Sequence, residues 1–284
     1  MKAPPFAYAR ARNLADVFDL LDRHGDGARI LAGGQSLMPA LNMRLSSPEL
    51  LIDISRLSEF SGIQVKDHHV HIGALTTHTQ IGDSAEIRKH LPLLADAVEH
   101  IAHPAIRNSG TFGGSLAMAD PAAEWPACCV TLDAQIVLTS NSGSRRVAAR
   151  DFFQGLYATA MKANEVLTEV VIPIPGADYR HAFLELARRR GDYAIVGIAA
   201  LAKVTNGSIS DLRLTFLGAS EKPVLAVKTS QVFVSKEFSY EILKQAQEVL
   251  ADELDPCADL YSSAATKLHL AHVLTARAMK QLVA

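Results

Sequence analysis

The chain is short of cysteine, of net charge and of long apolar runs. Its 284 residues include three cysteines, Cys128, Cys129 and Cys257. That odd number argues against a disulfide framework. No C-x-x-C occurs, and three thiolates cannot supply the four ligands of a common iron–sulfur cluster. Any such centre is expected on another chain. Adjacent Cys128 and Cys129 lie in an apolar, helix-like stretch and read as small buried hydrophobes. The net charge of −2 gives no electrostatic case for nucleic acid or an anionic membrane surface. No apolar run approaches the roughly 20 residues of a spanning helix. Met1 to Phe6 lacks the apolar core of a signal peptide, so a cytoplasmic protein is expected. Repeats and low-complexity tracts are also missing.

What remains is an ordinary globular composition, 49% apolar and 20% charged. Asn13 is placed to cap a helix with Leu14, Val17, Phe18 and Leu21 on one face, ended by Gly25. Residues 28–32 and 50–54 read as strands on either side of a helix over 35–45, making a β-α-β-like unit. Ile63, Val65, Val70 and Ile72 flank a turn and predict a hairpin. Helices follow over 76–81, 91–101 and 122–132, with His103-Pro104 as a break. A strand is expected at 135–139, a turn at 140–143 and a further strand at 166–172. Pro173-Ile174-Pro175-Gly176 is the best boundary. Beyond it lie strands over 181–186, 195–204 and 212–217, then helices over 239–254 and 262–282. The expected organisation is an α+β chain: a domain over 1–175, with subdomains of about 1–56 and 57–175, and a small α+β domain over 176–284.

Two glycine-rich segments stand out, Ala32-Gly33-Gly34-Gln35-Ser36-Leu37 and Gly110-Thr111-Phe112-Gly113-Gly114-Ser115. Glycine lets main-chain N–H groups approach a ligand closely. Such groups beside a helix N-terminus suit phosphate. The spacing of the second segment, G-x-x-G-G, is not the dinucleotide fingerprint G-x-G-x-x-G. Neither segment has the Gly-Lys-Ser/Thr of a P-loop, and Gly-Gly-Gln-Ser-Leu is no nucleophile elbow. Read singly, each is either a tight turn or half of an anion cradle.

Taken in order, the motifs resemble the FAD-binding medium subunits of molybdenum hydroxylases, the xanthine dehydrogenase and carbon monoxide dehydrogenase superfamily. Ala32 to Pro39 resembles the first flavin loop of that family and Ile106 to Ser115 the second. Ala119-Asp120-Pro121-Ala122-Ala123-Glu124, Gly73 to His78, and Arg188 to Ala194 also match, so the resemblance spans the chain. It implies a vanillyl-alcohol-oxidase-type (PCMH-type) FAD-binding domain of two α/β subdomains and a small α+β C-terminal domain. It implies electron transfer from 2Fe–2S clusters on a partner through FAD to an external acceptor, with no catalytic acid or base and no metal on this chain. The partners would be a large molybdopterin subunit and a small subunit with two 2Fe–2S clusters, assembled as a dimer of heterotrimers. A free-standing flavin oxidase of the same superfold and a non-catalytic assembly subunit are the alternatives. Neither substrate nor acceptor can be read from this chain.

By the same resemblance, Ala32, Gly33, Gly34, Gln35, Ser36 and Leu37 would wrap the pyrophosphate through N–H groups. Gly110, Thr111, Gly113, Gly114 and Ser115 would grip it from the other side. Neither loop holds Lys or Arg. Many relatives carry His at 35 and Asn at 115; Gln35 and Ser115 keep hydrogen-bonding capacity. Glu124 would meet the adenosine ribose, while Asp120 is either a helix cap or a cofactor contact. Met118 stands where many relatives have His. Thr77, His78 and Ile101 would lie near the cofactor; by itself His78 is one of eleven histidines. Tyr193 would pack beside the isoalloxazine, or else be a half-buried strand residue. Leu167 would lie against the flavin edge. Some relatives have Lys near 184 or 185, absent here, and Arg188 is the candidate replacement.

Overall fold

The computed structural model describes residues 2–205 and 208–284. Its first unit is a parallel sheet in which Leu50–Asp53 lies between Ala7–Arg10 and Ala28–Leu31. Every residue of Leu50–Asp53 is buried, the apolar signature of a central parallel strand. The edge strand Ala7–Arg10 was not expected. It is mostly exposed and shows no apolar alternation from which to read it. Helix Leu14–His24 covers the sheet. Asn13 Oδ1 accepts from Asp16 N at 2.9 Å, and Gly25 ends the helix with φ of 48°.

The helix expected over 35–45 is shorter, Leu37–Asn42. Arg44 turns left-handed with φ of 60°. Leu45 N then donates to Ala40 O and Arg44 N to Leu41 O, a Schellman ending. Leu45 keeps the helical spacing in sequence but falls outside the helix and is exposed.

The second unit is an antiparallel five-stranded sheet in the order Ile63–Lys66, His69–Gly73, Val166–Pro173, Gln135–Ser140, Gly143–Ala148. Asp67 and His68 both take positive φ, 49° and 59°, which suits a two-residue hairpin turn. Helices Pro92–Val98 and Glu124–Thr131 supply buried side chains to the core over this sheet. The cysteine pair is buried there, and burial pushes both thiols up. Two short helices, Ala85–His90 and Pro104–Arg107, were not anticipated. Pro104 does interrupt the preceding pattern, yet it also opens a helix, where its missing N–H is not needed.

The third unit is an antiparallel sheet of Tyr179–Ala187, Ala194–Thr205, Ser208–Leu217 and Val224–Leu225. It packs on helices Val227–Phe233, Tyr240–Glu253 and Ala264–Val283 around its own core. Among the described residues no helix is long and apolar enough to cross a membrane.

Candidate flavin site

The two glycine segments, far apart in sequence, touch. A Cβ on Gly33 would fall 2.0 Å from Ser109 O and 2.9 Å from Gly110 Cα. One on Gly114 would meet Ala32 Cβ at 4.0 Å. Only residues without a side chain allow the segments to cross so closely. Gly34, with φ of 71°, turns the first segment into helix Leu37–Asn42.

The second segment is not a loop throughout. Thr111 caps a helix, Phe112–Met118, that begins inside it. This changes the chemistry expected of Gly113, Gly114 and Ser115. Phe112 N donates to Thr76 O and Gly113 N to Ala74 O, each at 2.8 Å. Gly114 N donates to Thr111 Oγ1 at 3.1 Å and Ser115 N to Thr111 O at 3.0 Å. Gly110 N donates to Ile106 O at 2.8 Å. These N–H groups are spent inside the protein, while that of Thr111 meets no acceptor among the described residues, so the second side of the expected N–H cradle narrows to Thr111. By contrast, no acceptor among the described residues takes the N–H of Gly33, Gly34, Gln35, Ser36 or Leu37. Gln35 Nε2 returns to Gly33 O at 3.0 Å and braces this array. The structural use of Gly113 is close packing, since a Cβ there would strike Ala74 at 2.5 Å.

Thr77 and His78 lie beside the crossing. Thr77 and Gln80 form a reciprocal capping box on helix His78–Asp83. His78 N donates to Gly110 O at 3.0 Å, tying that helix to the second segment. The His78 ring is buried, 6% exposed, and its Nδ1 accepts from the Trp125 indole at 3.0 Å. Burial, with help from the Arg107 cation, holds His78 down to a pKa of about 4. Trp125 was not anticipated; its place next to Glu124 was the available signal.

A group of acidic residues joins this region to the C-terminal unit. Asp120 follows left-handed Ala119 and accepts from Ala122 N at 2.9 Å. It therefore closes a local turn; the cap of helix Glu124–Thr131 is Ala123, so the expected capping role fails. Burial raises Asp120 above the usual carboxylate range. Glu124, the first residue of its helix, is raised to about 7 by burial and then by Asp120. Glu185 on Tyr179–Ala187 is raised to about 8 by burial and then by Glu124. Its Oε2 is buried with no partner, whereas buried Asp192 Oδ2 lies 3.2 Å from Arg188 Nη2.

The 188–193 turn reaches the same place. Gly191, with φ of 77°, leaves only 2.4 Å between a hypothetical Cβ and Ala102 O, beside Ile101. Arg107 fixes that corner by donating to Ile101 O at 2.9 Å and Ala102 O at 3.2 Å. Tyr193 is 71% exposed and is a surface ring in the protein alone. Arg188 lies 4.0 Å above the Tyr261 ring and 3.2 Å from Asp192, so its charge already has partners. Leu167 is buried in the main core, while its neighbour Val166 faces the first core across the strand.

The donor and acceptor sets are segregated. Free N–H groups follow one another along the first segment, where an anion belongs. One orphaned carboxyl oxygen, Glu185 Oε2, lies on the C-terminal side, where a hydroxyl or N–H donor belongs. A molecule with a diphosphate, sugar hydroxyls and a flavin ring presents both kinds of partner.

Residues 4–175 match the family model for the FAD binding domain in molybdopterin dehydrogenase. The chain belongs to this family. Residues 181–282 match the CO dehydrogenase flavoprotein C-terminal domain. This molybdopterin-dehydrogenase flavoprotein is 34% identical to the glyceraldehyde dehydrogenase medium chain of Sulfolobus acidocaldarius, over 99% of each chain. It is 37% identical to the nicotine 6-hydroxylase medium subunit of Paenarthrobacter nicotinovorans, over 93% of this chain and 92% of that one. In structure it resembles carbon monoxide dehydrogenase from Hydrogenophaga pseudoflava with a TM-score of 0.96 and 33% identity, covering 99% and 98% of the two chains. The flavoprotein is thus a component of an oxidoreductase with the expected fold. Among the described residues, no group of three His, Cys, Asp or Glu is placed to hold a metal.

Proposed function

We propose that the chain is the electron-transfer subunit of a heteromeric molybdopterin-dependent hydroxylase or dehydrogenase. The observation that carries this reading is the crossed pair of glycine segments, one with a free N–H array, in a chain similar along its full length to medium subunits. FAD, when bound, supplies a carrier between one-electron iron–sulfur centres and an external acceptor. The N–H groups of Gly33 to Leu37 would hold the diphosphate, with Ser36 adding a hydroxyl. Gly110, Thr111, Gly113 and Gly114 would line the opposite wall through main-chain surface, and the Ser115 hydroxyl would face the same cleft. Glu124 and Asp120 would accept from sugar hydroxyls. Tyr193, Leu167 and Ile101 would exclude water from the ring, and Arg188 would brace the turn that carries Tyr193.

On this reading the division falls at residue 175 or 176. A large molybdopterin subunit would oxidise the substrate, and a small subunit with two 2Fe–2S clusters would relay the electrons. The assembly would be a dimer of heterotrimers in the cytoplasm. The medium-chain and medium-subunit names of the relatives support a multi-subunit setting.

The test is co-expression with both partners. One FAD per copy of this chain is expected, together with substrate-driven reduction of an added acceptor. Stripping the FAD should stop acceptor reduction while the clusters still reduce. A folded complex without FAD would favour the assembly role, and substrate oxidation by this chain alone would favour the free-standing oxidase.

A further inference from the structure

We propose that His78 is a fixed, uncharged hydrogen-bond donor to the diphosphate and that Trp125 is the positioning residue that fixes it. The proposal rests on the FAD reading and adds a side-chain donor to the main-chain array. An indole N–H can only donate. Its 3.0 Å contact with His78 Nδ1 therefore makes Nδ1 the acceptor. A neutral imidazole in that contact carries its one proton on Nε2. Trp125 cannot turn away. It is fully buried, with its ring 5.2 Å from the equally buried Phe112 ring. An imidazolium would set a second N–H against the indole N–H, so the charged form is opposed by geometry as well as by burial.

The electrostatic surroundings act in the same direction. Arg107, on the neighbouring helix Pro104–Arg107, opposes a second cation. Acidic groups on the other packed helices have partners elsewhere: Asp96 with His181 and Glu86 with His90. Arg88 is turned to Gly82 O and Asp83 O. On Trp125's own helix, burial keeps Glu124 in the range where it holds its proton near neutral pH.

His78 Nε2 lies against the crossing of the two glycine segments. A Cβ on Gly110 would sit 2.7 Å from it, and one on Gly33 would sit 2.9 Å from Gly110 Cα. Among the described residues no protein acceptor takes the Nε2 proton. A fixed donor that is open at the edge of the crossing is available to an acceptor from outside the protein. The nearby unspent groups of Gly33 to Leu37 are donors too. A set of donors without an acceptor is the complement of an anion, and the diphosphate is the anionic part of FAD.

Long-range proton–nitrogen spectra of the full chain, with labelled histidine, give a readout independent of flavin. The Nε2–H tautomer is expected for His78 from pH 5.5 to 8, and a mixture of tautomers in Trp125→Phe. FAD titration followed by flavin fluorescence gives the second readout. The pH dependence of affinity over pH 6 to 8 should be the same in the wild type and in His78→Gln, because His78 stays neutral throughout that range. His78→Gln, which keeps a donor, should bind within about threefold, while His78→Phe should lose about tenfold or more. Should His78→Phe not fold, Trp125→Phe decides: an unchanged tautomer there overturns the proposal. So does an imidazolium or Nδ1–H form in the wild type at pH 6.5, or a folded His78→Phe that binds FAD normally. A wild-type chain with the expected tautomer that binds no FAD overturns the parent reading, and the donor role with it.

Discussion

At the scale of residues, the flavin region combines titrating groups whose shifts have opposite consequences. His78 is depressed from 6.5 to about 4. The unfolded chain therefore takes up a proton as pH falls through 6.5, while the folded chain resists until about 4. The stabilisation is whole above 6.5 and is lost as pH falls, by about 3 kcal/mol over the full window. His78→Gln removes this dependence. Urea unfolding of the FAD-free protein should show the wild type losing about 2 to 3 kcal/mol relative to the variant between pH 7 and 4.5. Glu185 runs the other way. Its folded value is raised to about 8, so the folded chain holds the proton more tightly and stability falls as pH rises from the carboxylate range through 8. Glu185→Gln should be more stable than the wild type at pH 8 by on the order of 1 kcal/mol, after discounting for partial exposure. At pH 4 the two should be alike, and equal stability at pH 8 would rule the shift out.

At the scale of elements, the helix His78–Asp83 depends on its cap. It is six residues long, too short to stand on propensity, and its reciprocal Thr77–Gln80 cap supplies two bonds. Thr77→Ala should lower stability by about 1 kcal/mol in denaturant unfolding. FAD affinity should fall with it, because the same helix carries His78. The elements were legible where pattern and cap agreed, as in Leu14–His24 with Asn13 and Gly25. They were over-extended where apolar spacing continued past a structural stop, as at Leu45. Exposed edges such as Ala7–Arg10 gave no pattern to read. The glycine segments were recognised as a pair, but their division of labour was not legible. Whether an N–H is free depends on carbonyls at Ala74 and Thr76, which only the folded chain brings near. The Trp125–His78 contact was hidden for the same reason: it joins residues 47 positions apart.

At the scale of the whole molecule, the C-terminal unit meets the FAD-binding domain through two main-chain approaches. Gly191 lies against Ala102 O, and Gly218 N donates to Pro121 O at 2.7 Å. A methyl group at 191 meets both a backbone oxygen and an unfavourable φ. Gly191→Ala should keep the far-ultraviolet circular dichroism of the wild type while weakening FAD retention on gel filtration by about tenfold. Retention equal to wild type would show that the 188–193 turn does not close over the cofactor.

The crossing of Gly33 over Gly110 has a consequence for how such a chain can change over time. A ligand held by main-chain groups is held by atoms that every residue except proline possesses. The requirement at Gly33 is absolute, since a single methyl group would separate the two segments. The crossing itself is written in places where side chains are missing. Surface residues elsewhere can then change independently of that crossing.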